Sequence, residues 1–192
     1  MADLAKTYSR EFYARPTVEV ARDLVGAVLC KRTDPDEIRA AMIVEVEAYT
    51  QDDPACHAFR GMTKRNEVMF GPPGYAYVYF IYGMYFCLNV VTEPEGIPGA
   101  VLIRAIDYEG CDGPGKLCRQ WEIDRRHNGL EMKASQEGLW ISPGVNVVDA
   151  QILVTKRIGI RQPSAVHNLW RFCIKDHPLV SCGLNKKRRN GD

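Results

Sequence analysis

No stretch constrains the fold more than residues 75–91, YAYVYFIYGMYFCLNVV. Aromatic and β-branched side chains fill it, and these suit a pleated, half-buried surface. Near its middle stands Tyr82-Gly83, and glycine reaches positive φ without steric cost. The stretch therefore reads as two strands folded back on each other, with Tyr82 and Gly83 at the tip. In such a hairpin Tyr75, Tyr77 and Tyr79 share a face. Tyr82 falls where no core can cover it, so its ring is either idle apolar surface or a wedge for a partner.

Residues 39–49 carry the same period of two. Ala40, Met42, Val44, Val46 and Ala48 point one way and form the expected core face, while Ala41, Ile43, Glu45, Glu47 and Tyr49 point the other. Glu47 and Tyr49 thus stand side by side. Residues 27–31, 100–106, 151–160 and 171–175 read as further strands, and Thr33-Asp34-Pro35-Asp36 as a turn. Residues 15–26 read as a helix, with Val20, Ala21, Leu24 and Val25 at helical spacing, Pro16 in the first turn and Gly26 as the stop. Gly113-Pro114-Gly115 opens another helix, with Leu117, Cys118 and Trp121 on one face. Residues 50–62 and 125–144 read as irregular polar segments.

Strands that follow one another with few helices between them favour an α+β fold over a parallel sheet. The expectation is a single domain over 1–192. It holds a curved, mainly antiparallel sheet, open-barrel-like, with flanking helices and a protruding β-hairpin. The Lys186-Lys187-Arg188-Arg189 run belongs to a basic tail, 185–192, that is expected to be flexible.

Composition excludes several classes. At 192 residues the chain can bury a full core without metal or disulfide staples. Hydrophobic residues at 46% and charged residues at 26% exclude global disorder. No apolar run approaches the roughly 18 residues of a membrane span. The opening MADLAKTYSREFYARP has no apolar signal core, so a cytoplasmic (nucleoid) or nuclear protein is expected rather than a secreted one. Cys30, Cys56, Cys87, Cys111, Cys118, Cys173 and Cys182 form no C-x-x-C pair, which suits buried reduced thiols rather than a zinc site. The net charge of +1 is a weak footprint for a polyanion partner. The distribution is uneven, however: residues 1–62 sum to −3 and residues 63–192 to +4. A polyanion should meet the later two thirds.

Chemistry-bearing residues are few. Residues 110–117, GCDGPGKL, approach a phosphate-binding P-loop but place Leu117 where a hydroxyl must ligate Mg²⁺, and Pro114 removes a cradle N–H. A nucleoside triphosphate site is excluded on those grounds. Glu47, at the end of an apolar strand beside Tyr49, is either a solvated edge carboxylate or a general base next to an aromatic platform. His57 alone reads as a hydrogen-bonded loop histidine. Asn89 lies among apolar strand residues, so its amide needs a partner. Arg104 ends the run Ala100-Val101-Leu102-Ile103, so its charge should be paired.

Together these residues resemble the alkyladenine (3-methyladenine, methylpurine) DNA glycosylase family. The resemblance rests on Val44-Glu45-Val46-Glu47-Ala48-Tyr49, His57, Thr63-Lys64-Arg65-Asn66, Met69-Phe70, Pro73-Gly74, the tyrosine hairpin through Asn89, Val101-Leu102-Ile103-Arg104-Ala105 and Gly113-Pro114-Gly115-Lys116-Leu117-Cys118. It continues more weakly through Arg157-Ile158-Gly159-Ile160 and covers most of residues 9–182. It implies an enzyme that extrudes a base from duplex DNA. Tyr82 would fill the vacated space. Tyr49, His57 and Tyr79 would enclose the flipped base, and Asn89 would clash with the 2-amino group of guanine. Glu47 would deprotonate the water that attacks C1′, and Arg104 would support that water or the target phosphodiester. Lys64, Arg65, Lys116 and Arg119 are candidates for phosphate contacts.

The expected protein is a monofunctional, monomeric glycosylase for alkylated purines in double-stranded DNA, serving base excision repair without metal or cofactor. Two rivals remain: a non-catalytic nucleic-acid-binding module with the same hairpin, and a protein–protein interaction domain whose tyrosines are core. Glu47 speaks against the first, and Tyr82 at an exposed tip against the second.

Overall fold

A computed structural model describes residues 3–135 and 138–181. The expected flexible tail at 185–192 and Cys182 lie outside the described residues. Two short helices, α1 (Arg10–Tyr13) and α2 (Thr17–Asp23), precede the first strand. The helix expected over 15–26 is α2, shorter at both ends, and α1 precedes it. Pro16 is extended at φ −50°, ψ 130° and separates them, standing before the first turn rather than in it. Proline brings no capping side chain, and Glu93 supplies one from a distant loop. Its Oε1 accepts from the Thr17 N–H at 2.6 Å and the Thr17 hydroxyl at 2.8 Å.

The strands are β1 (Val28–Asp34), β2 (Glu37–Tyr49), β3 (Ala76–Ile81), β4 (Tyr85–Thr92), β5 (Gly99–Ile106), β6 (Leu139–Ser142), β7 (Ile152–Thr155) and β8 (Arg171–Ile174). They form one sheet in the order β3-β4-β5-β2-β1-β6, with β8 pairing β2 and β7. All the strand pairs are antiparallel. The expected α+β class and curved antiparallel sheet are both present. β2 makes the curl possible, because its first half pairs with β1 and its second half with β5 and β8.

The alternation expected along β2 does not persist. Ala41 and Ile43 join the core in the first half, Val46 and Ala48 in the second. Ala40 is exposed and Met42 only half-buried. The register explains the change of parity. Ile43 pairs with Ile106, Glu45 with Ala105 and Val46 with Ile103, so β2 carries an extra residue at Val44 and β5 one at Arg104. Such bulges bend a strand and re-aim its side chains.

Other departures have local causes. β1 runs on to Asp34, which confines the expected turn to Pro35-Asp36. The segment 125–144 contains β6, whose four residues are all buried against β1. Only Ile152–Thr155 of the strand expected over 151–160 is extended. Beyond it the chain leaves the sheet, because the Arg157 guanidinium turns inward and Gly159 adopts a φ of 77°.

A third helix, α3 (Pro114–Gln120), has proline at its N-terminal end and buries Leu117 and Cys118, with Trp121 buried just past it. It lies on β4 and β5. Gly115 is dictated by close approach: a Cβ there would stand 2.9 Å from the Tyr85 ring. The six described cysteines are free and buried.

Candidate active site

β3 and β4 form the expected hairpin. At its tip Tyr82 and Gly83 have φ of 56° and 69°, as a type I′ turn requires, and the Met84 N–H donates to the Ile81 carbonyl at 3.3 Å. Gly83 adopts this region freely. Tyr82 does not, and left-handed backbone at a non-glycine residue costs on the order of 1 kcal/mol or more. Residues 128–130 cover the edge of β3 only near its start, through the Ala76 main chain and the Val78 N–H. The tip stands clear of them, with Tyr82 84% and Met84 64% exposed.

A cavity of about 480 Å³ opens below the hairpin, within the roughly 300–1,000 Å³ of small-ligand sites. Tyr49, His57, Tyr79, Tyr82, Asn89 and Arg104 all reach its wall. They come from β2, the 50–62 segment, β3, the turn, β4 and β5. Ile158 to Ile160 close one side, and Pro114-Gly115 another. His57 and Tyr79 meet edge to face, with centroids 4.5 Å apart at 77°, while Tyr77 stands 5.4 Å from Tyr79, tilted at 36°. His57 Nδ1 is 2.9 Å from the Tyr77 hydroxyl. Desolvation by this wall, aided by the Arg65 charge, pushes the His57 pKa down to about 4 even though part of the residue remains exposed. Burial pushes Tyr77 up to about 12. The rings of the wall are therefore uncharged at neutral pH, and the Arg104 cation among them is paired with Glu47.

Glu47 lies behind the cavity, 0% exposed. Three donors hold its carboxylate: the Tyr49 hydroxyl to Oε2 at 2.8 Å, Arg104 Nη1 to Oε2 at 3.3 Å, and the Ile158 N–H to Oε1 at 2.7 Å. The Tyr49 hydroxyl stays protonated, since burial and the neighbouring Glu47 charge both raise its pKa. Asn89 gives its amide N–H to the Tyr77 carbonyl at 2.9 Å, which keeps a fixed polar group on the cavity side of β4.

The network beneath extends beyond what sequence reading reached. Arg104 Nε donates to Glu45 Oε1 at 2.9 Å and Arg171 Nε donates to the same oxygen at 2.6 Å. The Ser181 hydroxyl also donates to it, at 2.9 Å. Arg157 pairs with Asp53, both side chains being fully buried. Three carboxylates and three guanidiniums thus balance inside the protein, as buried charges must. Burial alone would lower the Arg104 pKa; Glu47 and Glu45 outweigh it, and the net shift is upward. Glu45 had a visible signal, since it precedes Glu47 by two in an apolar strand. Arg157 stood in the weaker part of the resemblance with no role attached, and Asp53, Arg171 and Ser181 had no signal, because only topology brings them together.

The phosphate-contact candidates lie outside the cavity wall. Lys64, Arg65, Lys116 and Arg119 are exposed. The Arg65 guanidinium sits 5.6 Å from the Tyr79 ring centroid. Lys116 is already paired with Asp112 at 2.8 Å.

Related proteins share this sequence over nearly its full length. The Methylpurine-DNA glycosylase (MPG) family pattern matches residues 11–178. A protein of Synechococcus sp. (strain JA-3-3Ab), described as "Putative 3-methyladenine DNA glycosylase", is 47% identical over 89% of this chain and 97% of its own. Proteins of the same description from Methanocella arvoryzae and Trichodesmium erythraeum are 45% and 44% identical, over 95% and 87% of this chain and 97% and 93% of their own. The match spans the tyrosine hairpin, the bulged strand of Arg104 and the Glu47 strand alike, and the chain belongs to the methylpurine-DNA glycosylase family.

Proposed function

We propose that this protein is a DNA repair glycosylase that flips alkylated purines, of the 3-methyladenine type, out of duplex DNA and hydrolyses their N-glycosidic bond. The observation that carries the reading is Glu47: a buried carboxylate held by three donors directly beneath a cavity walled by uncharged aromatic rings. A cationic purine is attracted to aromatic faces, and a neutral His57 does not repel it. An alkylated purine leaves without strong acid help, so one base suffices.

Water enters at the Arg104–Glu47 contact, the longest of the three at 3.3 Å and the one whose donor reaches the cavity. Glu47 takes its proton as the water oxygen bonds to C1′, and the purine departs with the electron pair of the broken bond. Among the described residues the cavity wall carries no lysine, which favours water over an amine nucleophile and hence a monofunctional enzyme. Tyr82, on the cavity rim at the exposed tip, fills the gap left in the base stack. Asn89 is the group that a 2-amino purine meets. Lys64, Arg65, Lys116 and Arg119 take the phosphates.

Incubation of the purified chain with methylated duplex DNA tests the reading. Release of free alkylated purine, leaving unbroken strands with abasic sites, is the expected result. Duplex binding with no base released contradicts it and leaves a non-catalytic binding module.

A further inference from the structure

Arg157 does not reach the cavity, yet it braces what does. Its guanidinium lies 4.6 Å from the Tyr49 ring centroid and 5.3 Å from that of Trp170. Its Nη1 donates to the Ala48 carbonyl at 2.8 Å and pairs with Asp53 Oδ2, and its Nη2 donates to Asp53 Oδ1 at 2.9 Å. The next residue in the chain, Ile158, gives its N–H to Glu47 Oε1. We propose that Arg157 is a positioning residue, which fixes the plane of the Tyr49 ring and the main-chain donor that orients Glu47.

Geometry rather than charge carries this role. Asp53 matches the charge of Arg157, so little net field reaches the cavity. What remains is a planar fork, pinned in two directions and stacked on a ring, which arginine provides and lysine does not. Among the described residues the buried Arg157 Nε has no acceptor. A donor left unsatisfied in the interior is unfavourable, so the stacked pose is held at the expense of one hydrogen bond. Tyr49 and Glu47 are themselves hydrogen-bonded, so a shift of Arg157 reaches the carboxylate by two routes, through the ring and through Ile158.

The inference rests on the assignment of Tyr49 and Glu47 to base release, and its test separates the two. Arg157→Lys is made in the parent chain and in a Tyr49→Ala background, and single-turnover base release from methylated duplex is measured in each. In parallel, amide exchange at Ile158 is followed by NMR in the full chain, with Leu88 in β4 as the control for global opening. A misplaced catalytic group costs on the order of 10²-fold. Arg157→Lys should therefore slow the parent about 10- to 100-fold, and the Tyr49→Ala chain by a clearly smaller factor, since the ring route is gone there and only the Ile158 route remains. Exchange at Ile158 should rise while that at Leu88 does not. Equal losses in both backgrounds, or Ile158 exchange that follows Leu88, overturns the proposal. If Arg157→Lys fails to fold, Asp53→Asn loosens the same fork and is read by the same outcomes. If the parent releases no base, the glycosylase reading falls, and the exchange arm still decides whether Arg157 sets the Ile158–Glu47 contact.

Discussion

The hairpin tip and the cavity floor break the same rule in opposite directions. At the tip, Tyr82 and Met84 hold apolar surface in solvent. At the floor, Glu45, Glu47, Arg104 and Arg171 hold charge in the interior. Neither arrangement favours folding alone, and departures of this kind concentrate at functional sites. The two differ in what sustains them. The tip is supported by little beyond its own turn, so it can be altered without disturbing the fold. The floor is a closed network in which each charge depends on the next. Under the proposed function, the tip grips the partner and chemistry is confined to the floor.

The largest effect should come from the floor. Glu45→Ala leaves Arg104 and Arg171 without the carboxylate they share, and losing one member of a buried ion pair costs roughly 3–5 kcal/mol. Thermal or urea unfolding reads it, and a loss under about 1 kcal/mol would mean that the network is not a unit. His57, on the wall between the two regions, sharpens the comparison through pH. Its pKa is depressed from 6.5 to about 4 in the folded protein. The neutral form is thus favoured by folding, so this contribution to stability is complete above about 6.5 and is lost as pH falls towards 4. An NMR titration of His57 should show a midpoint near 4, whereas a midpoint at its ordinary value would contradict the desolvated wall.

Smaller effects belong to the outer surface. Each of Lys64→Ala and Arg65→Ala should flatten the log–log salt dependence of duplex binding by about 0.9, the contribution of one neutralised phosphate. Unchanged slopes would place the phosphates elsewhere. At the tip, Tyr82→Ser should move stability by no more than about 0.5 kcal/mol, as for other exposed positions, while duplex affinity falls. Loss of 3 kcal/mol or more, the cost of truncating a buried aromatic ring, would make Tyr82 part of the core and erase the contrast.

The hairpin was legible in the sequence because every cue for it is local: period two, aromatic content and a tip glycine. The Glu47–Tyr49 pair was legible for the same reason, since residues two apart on a strand share a face. The phase of β2 was not. A bulge at Val44 leaves no mark in a run of apolar residues, so the face expected from Ala40 and Met42 was carried to the wrong side of the first half. The strand expected over 151–160 ended early because Arg157 is drawn inward to Asp53 and Ala48, more than a hundred residues away in sequence. Contacts of that separation have no periodicity to read. The buried charges were visible one by one, as Glu45 and Arg104 in apolar strands, but their partners Arg171 and Ser181 were set by topology alone.

The division between a gripping tip and a reacting floor is tested most directly by Glu47→Gln. The change keeps the shape of the side chain and one carbonyl acceptor but removes the base. Single-turnover release of alkylated purine from saturated enzyme–duplex complexes should fall by about 10²–10⁴-fold, with duplex affinity close to that of the parent. Release at near-parental rates would show that Glu47 is not the base and that the buried network serves the fold rather than the reaction.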